Sequence, residues 1–167
     1  MKKILAAIPI TPRLAVVGTM MIAGGSLIAA LLFQHVGGLQ PCALCYPQRW
    51  AHALIVVAGA AWLVYPGRLT ALAGALSALH SIGQAARHAG VERHWWPGPQ
   101  DCSGPSAVGE MDPAALLDRI MAAPVVRCDE VAWSLLGLSM ADWNVIVSTL
   151  ILLLWAPALR RAFGAGG

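Results

Sequence analysis

Residues 34–50 read QHVGGLQPCALCYPQRW. The stretch carries Cys42 and Cys45 as a C-x-x-C pair, with Arg49 four residues beyond, and it lies between two apolar runs long enough, or nearly so, to cross a bilayer. A C-x-x-C pair closes into a small, strained ring and its thiol pKa is often depressed, which suits electron exchange better than static stapling. Half of a zinc site has the same spacing, so spacing alone leaves both chemistries open.

Outward from this stretch the chain is apolar. Of its 167 residues, 58% are hydrophobic and only 11% charged, with a mean hydropathy of +0.67, against roughly 25% charged in soluble domains. This describes an all-α integral membrane protein. Four spans of roughly 20 residues with short connections use most of the length, so a single four-transmembrane-helix bundle over 1–167 is expected, with no second domain. The net charge of +3 is small and unevenly spread, and it does not suggest nucleic acid.

The first span is 14–33, 20 residues behind Lys2, Lys3 and Arg13, about 30 Å of helix. It exceeds the apolar core of a secretory signal and is followed by further spans, so it is read as a membrane helix. The second span, 50–65, ends at Pro66-Gly67-Arg68, a turn that forces the third, 69–86, to run antiparallel to it. Gly74, Ala75, Ser77, Ala78 and Ser81 give that third span the small surface that close packing in lipid requires. His80 and Gln84, one turn apart, are expected to make an interhelical hydrogen bond in the bundle interior. The only long polar segment, 87–142, holds Cys102 and Cys128. Within it Asp112-Pro113 is an N-cap signal for a short helix that Pro124 ends. The last span, 140–159, opens on Ser139-x-x-Asp142, a capping-box pattern, and closes at Arg160 and Arg161.

Four spans put both termini on one side. That side carries Lys2, Lys3, Arg13, Arg68, Arg160 and Arg161 and no acid, while all eight acids fall between residues 92 and 142 on the other. Basic residues stay cytoplasmic, so the termini are expected in the cytoplasm and the two cysteine-bearing loops, 34–49 and 87–139, in an oxidising compartment. Cys45 sits just ahead of an apolar helix, where the helix N-terminus and Arg49 both favour its thiolate. An arginine at the bilayer edge either snorkels to the headgroups or serves the dithiol, for instance by holding the carbonyl oxygen of a lipid-soluble quinone.

The run FQHVGGLQPCALCYPQR, the two long-loop cysteines and the four spans resemble the DsbB family of disulfide-generating membrane proteins, over nearly the whole chain. AGVERHWWPGPQDC from Ala89 and VVRCDE from Val125 are similar to the form in some bacterial members. The resemblance implies a bacterial inner-membrane thiol:quinone oxidoreductase. In it a soluble periplasmic DsbA-like oxidase is reoxidised by the long-loop disulfide, here Cys102 with Cys128. Electrons then pass to Cys42 and Cys45 and on to ubiquinone or menaquinone, so that all four cysteines are catalytic. It further implies that Cys102 forms the mixed disulfide with the partner, that Cys128 connects to the first pair, and that Cys45 faces the quinone with Arg49 assisting. At rest Cys42 is expected to be bonded to Cys45, and Cys102 to Cys128. A histidine after the third span joins the quinone site in some members; His88 and His94 both compete for that place, His88 being nearer the span, and surface solvation is the plain alternative for either.

Two other readings compete with this one. A vitamin K epoxide reductase type of enzyme places its reactive pair inside a span, and no cysteine here does so. A non-enzymatic scaffold, stapled by disulfides or binding zinc, would ordinarily use two C-x-x-C knuckles, whereas Cys102 and Cys128 are 26 residues apart. No metal is expected.

Overall fold

The computed structural model describes residues 11–99 and 126–164, so Cys102 and the short helix expected between Pro113 and Pro124 lie outside the described residues. Four long helices are present among the described residues: α1 (Pro12–His35), α2 (Cys45–Val64), α3 (Arg68–Glu92) and α4 (Met140–Gly164). A two-stranded antiparallel hairpin, β1 (Ser134–Leu135) and β2 (Leu138–Ser139), leads into α4. Its two turn residues, Leu136 and Gly137, have φ of 55° and 79°, as a tight hairpin reversal requires. The expectation of an all-α chain missed this hairpin.

Local chemistry sets the helix ends. Thr11 caps α1 by accepting from the Leu14 amide at 3.3 Å, with Pro12 in the first turn where its missing N–H costs nothing. Ser139 and Asp142 form the expected reciprocal box: the Ser139 amide donates to Asp142 Oδ2 at 3.1 Å and the Asp142 amide to Ser139 Oγ at 3.2 Å. Three boundaries differ by five residues or more from the sequence reading, one of them the end of α4, which runs to Gly164 rather than 159. Helix α2 starts at Cys45, five residues ahead of the apolar run, because Pro47 is tolerated in a first turn. Helix α3 continues past residue 86 to Glu92, carrying His88 on regular helix rather than loop.

Helices α1 and α4 are long and apolar enough to cross a membrane. Helices α2 and α3 have the length, 20 and 25 residues, but are diluted by Gln48, Arg49 and His52 and by the small and polar residues of α3. Each helix packs on two others, in the ring order α1–α2–α3–α4. The interior is layered. At the end near the termini, Val16, Trp62, Ala71, Ala75, Trp155 and Ala158 pack together; midway come Ala23, Ile55, Ala78 and Ile151; at the far end lie Cys42, Leu44, Val91 and Cys128.

The small residues of α3 do what their size suggested. Gly74 lies against the indole of Trp155, which is fully buried and donates from Nε1 to the Ala71 carbonyl at 2.7 Å. A Cβ at position 74 would come 2.0 Å from Trp155 Cζ2. Gly74→Ala is therefore expected to destabilise the protein by about 1–3 kcal/mol, read as a lowered unfolding midpoint in detergent; an unchanged midpoint would show that α3 and α4 are not locked here. His80 corrects the sequence reading: it is exposed on the outer face of α3. One residue on, Ser81 is fully buried and makes the interhelical bonds.

Candidate functional site

The turn before α2 brings the first cysteine pair together. The Cys45 amide donates to the Cys42 carbonyl at 3.0 Å, and the two Sγ atoms are 3.1 Å apart, both free thiols. The Cys42–Cys45 bond expected at rest is not formed in this structure; closing it takes about 1 Å of approach. The two sulfurs are not equivalent. Cys45, at the first residue of α2 and ahead of its apolar span, has its pKa lowered to about 7, first by the hydrogen bond from the Cys42 thiol and then by its own turn and Arg49, against the opposing effect of burial. Cys42 is pushed up by that same shared hydrogen bond and by burial. The expected thiolate at Cys45 thus has a geometric basis.

Cys128 is disulfide-bonded and 1% exposed. It packs in one cluster with Cys42, Leu44 and Val91, with Cys45 and Val126 at the edge. The structure thereby brings Cys42, Cys45 and Cys128 together, although 83 residues separate Cys45 from Cys128.

Arg49, one turn into α2, turns back to α1. Its Nη1 donates to Gln34 Oε1 at 2.6 Å and its Nη2 to the Ala30 carbonyl at 3.3 Å, and its guanidinium lies 5.9 Å from the Tyr46 ring centre. Arg49 is held toward the protein rather than snorkelling freely. His88 is 6% exposed, with Nε2 3.6 Å from Cys42 Sγ and 3.8 Å from Glu92 Oε1. Burial lowers its pKa to about 4, so the ring is neutral, and burial likewise raises that of Glu92. His94 is exposed and sits just beyond α3 at φ 56°. Surface solvation is its fate, and not that of His88.

Sequence reasoning did not find the residues that orient His88. Gln48 Nε2 donates to the Leu44 carbonyl and to His88 Nδ1, both at 2.9 Å. A backbone carbonyl only accepts, so the amide orientation is fixed, Nδ1 must accept, and the proton of the neutral ring is on Nε2, beside Cys42. Asn144 Nδ2 donates to Gln48 Oε1 at 2.5 Å, and its Oδ1 accepts from Ser148 Oγ at 3.2 Å. Ser148 Oγ is 2.8 Å from Ser81 Oγ, which is 3.2 Å from His52 Nδ1. The only advance signal was that these polar residues stand inside apolar helices.

Cys42, Cys45, Arg49, His88 and His52 all line one cavity of about 290 Å³, whose apolar walls include Leu27, Phe33, Trp133 and Val147. Phe33 and Trp133 pack with ring centres 5.2 Å apart and planes tilted by 52°, joining α1 to the segment that leads into the hairpin. An apolar cavity with a few convergent donors suits a flat, lipid-soluble ring bearing carbonyls. Donor atoms of Cys42, Cys45 and His88 also lie within 4.8 Å of one another, as a metal would need. In the tautomer set by Gln48, however, Nε2 carries a proton and offers no lone pair, which argues against zinc.

Known proteins resemble most of the chain. The family model described as "Disulfide bond formation protein DsbB" matches residues 12–158. The chain is 37% identical over 136 residues to disulfide bond formation protein B of Pasteurella multocida, covering 76% of this chain and 74% of the relative. It is 32% identical over 162 residues to the protein of the same name from Aromatoleum aromaticum, covering 91% and 95%. No solved structure matches.

Proposed function

Because the chain belongs to the DsbB family and is a membrane disulfide-forming oxidase, we propose that it reoxidises a periplasmic DsbA-like thiol oxidase and passes the electrons to a membrane quinone. One observation supports this above the rest: the Cys42–Cys45 pair lies on the wall of an apolar cavity, with Arg49 and His88 beside it and the disulfide-bonded Cys128 packed behind it. A bound ubiquinone or menaquinone supplies an acceptor for two electrons and two protons. Cys45 presents the thiolate to the cavity, Arg49 and His88 Nε2–H offer donors to a carbonyl oxygen, and Cys42 stands between Cys45 and Cys128. In this reading Cys102 meets the partner and Cys128 hands on to Cys42.

The full bundle has four membrane spans as one domain, in the bacterial inner membrane. The α2–α3 turn and both termini face the cytoplasm, and the loops 34–49 and 87–139 face the periplasm. The charge asymmetry supports this: among the described residues the acids Glu92, Asp129, Glu130 and Asp142 all sit at the cysteine end.

The test is reconstitution. Purified protein given a reduced thioredoxin-like oxidase and a soluble quinone analogue is expected to consume both in equal amounts, followed by quinone absorbance; no consumption would overturn the reading. Arg49→Ala is expected to slow the quinone step about tenfold to a hundredfold, the worth of a charge-assisted hydrogen bond, while exchange with the protein partner slows less. Equal loss in both half-reactions would count against a quinone contact at Arg49.

A further inference from the structure

We propose that His52 is the hydrogen-bond acceptor for a quinol hydroxyl, so that the cavity distinguishes the reduced from the oxidised form of its ligand. The inference rests on the quinone reading above and deepens it. His52 is 3% exposed and lines the same cavity as Cys45 and Arg49. Its Nδ1 lies 3.2 Å from the Gln48 carbonyl oxygen. That oxygen can only accept, so Nδ1 carries the proton of the neutral ring and Nε2 is left as a bare lone pair. Nε2 is buried and has no hydrogen-bond partner among the described residues. Buried polar atoms without partners are rare in folded proteins and often mark the place of something that binds. The other such atom, Trp62 Nε1, lies in the layer at the opposite end of the bundle.

The chemistry of the missing partner follows from the lone pair. Nε2 needs a donor. A quinone has two carbonyl oxygens and no donor, whereas a quinol has two O–H groups. To the same cavity His88 presents Nε2–H and Arg49 its guanidinium, which serve an oxygen in either form. The cavity thus has donors that tolerate both forms and an acceptor that is satisfied only by the reduced one.

The two imidazoles are tied to these opposite roles. With Nδ1–H of His52 donating toward Ser81, the serine hydroxyl is free to donate to Ser148, Ser148 donates to Asn144, Asn144 to Gln48, and Gln48 to His88. Every bond points the same way, and two backbone carbonyls, those of Gln48 and Leu44, fix the direction.

Binding of a short-chain ubiquinol and of the matching ubiquinone is measured anaerobically on the purified full-length protein in detergent, for the natural chain, His52→Asn and His52→Gln. Asparagine keeps an amide N–H where Nδ1 sits and has no atom at Nε2; glutamine restores an oxygen near Nε2. His52→Asn is expected to weaken quinol binding about threefold to tenfold, the worth of one hydrogen bond, to leave quinone binding unchanged within about twofold, and to be rescued largely by His52→Gln. In the natural chain the His52 Nε2 nitrogen resonance is expected to move on adding quinol and to stay on adding quinone. Equal weakening of both forms, no weakening of either, or a resonance indifferent to quinol would overturn the proposal while leaving the quinone site standing. Binding of neither form by the natural chain would instead overturn the quinone reading itself.

Discussion

Cys45→Ala is expected to lower steady-state electron flow to quinone by more than about a thousandfold, as removal of a nucleophile does, while leaving a single burst of partner oxidation. The first effect follows from where the sulfur sits. Cys45 is the first residue of α2, its pKa is lowered to about 7, and it lines the cavity with Arg49. Its thiolate fraction rises at lower pH than that of an ordinary thiol, so alkylation of Cys45 in the reduced natural chain should speed up at lower pH than alkylation of Cys42. The second effect follows from Cys128, whose disulfide does not involve Cys45. One equivalent of reduced partner can therefore still be oxidised. Quench-flow with reduced partner and quinone both in excess over enzyme measures both, as burst amplitude and as the rate that follows it. A variant that keeps a tenth of the natural turnover, or that gives no burst, would break this assignment.

Cys128→Ala is expected to produce the complementary defect, a loss of partner-driven turnover of similar size with the quinone half intact. Cys128 is 1% exposed and shares its cluster with Cys42. A soluble protein does not readily reach a sulfur so deeply covered, which accords with the proposed relay, in which Cys128 communicates inward with the first pair and Cys102 meets the partner. A small dithiol such as dithiothreitol needs no such intermediary, since it can reduce a Cys42–Cys45 disulfide directly. Dithiothreitol-driven quinone reduction by Cys128→Ala should thus stay near the natural rate while partner-driven reduction collapses. If both fall together, Cys128 supports the fold of the site instead of carrying electrons; if neither falls, the partner reaches the first pair by another route.

Much of this arrangement was legible from the chain because its signals are local. A C-x-x-C before an apolar run, a serine three residues ahead of an aspartate and a Pro-Gly turn each act within one or two helical turns, and Cys45, the Ser139–Asp142 box and the α2–α3 reversal all stand where those signals pointed. What depends on helix rotation was not legible. One residue turns a helical side chain by about 100°, so choosing His80 over Ser81 as the inward polar group was enough to miss the interior chain. Its interhelical partners are 29 to 96 residues apart, and nothing in a single span announces which neighbour will face it. The hairpin escaped for another reason. Leu136 takes a left-handed backbone, a conformation that leucine does not advertise.

The polar chain between His52 and His88 has a bioenergetic consequence. Hydroxyl groups can hand a proton along a row, but an amide passes on a hydrogen bond without passing a proton, and two of the links here are the amides of Asn144 and Gln48. The row is therefore an insulator: it transmits orientation from one imidazole to the other and carries no current. A membrane that stores energy as a proton gradient can hold such a buried string of polar groups without a leak, and the chemistry at the cysteines must exchange its protons from the cavity and the loop side alone.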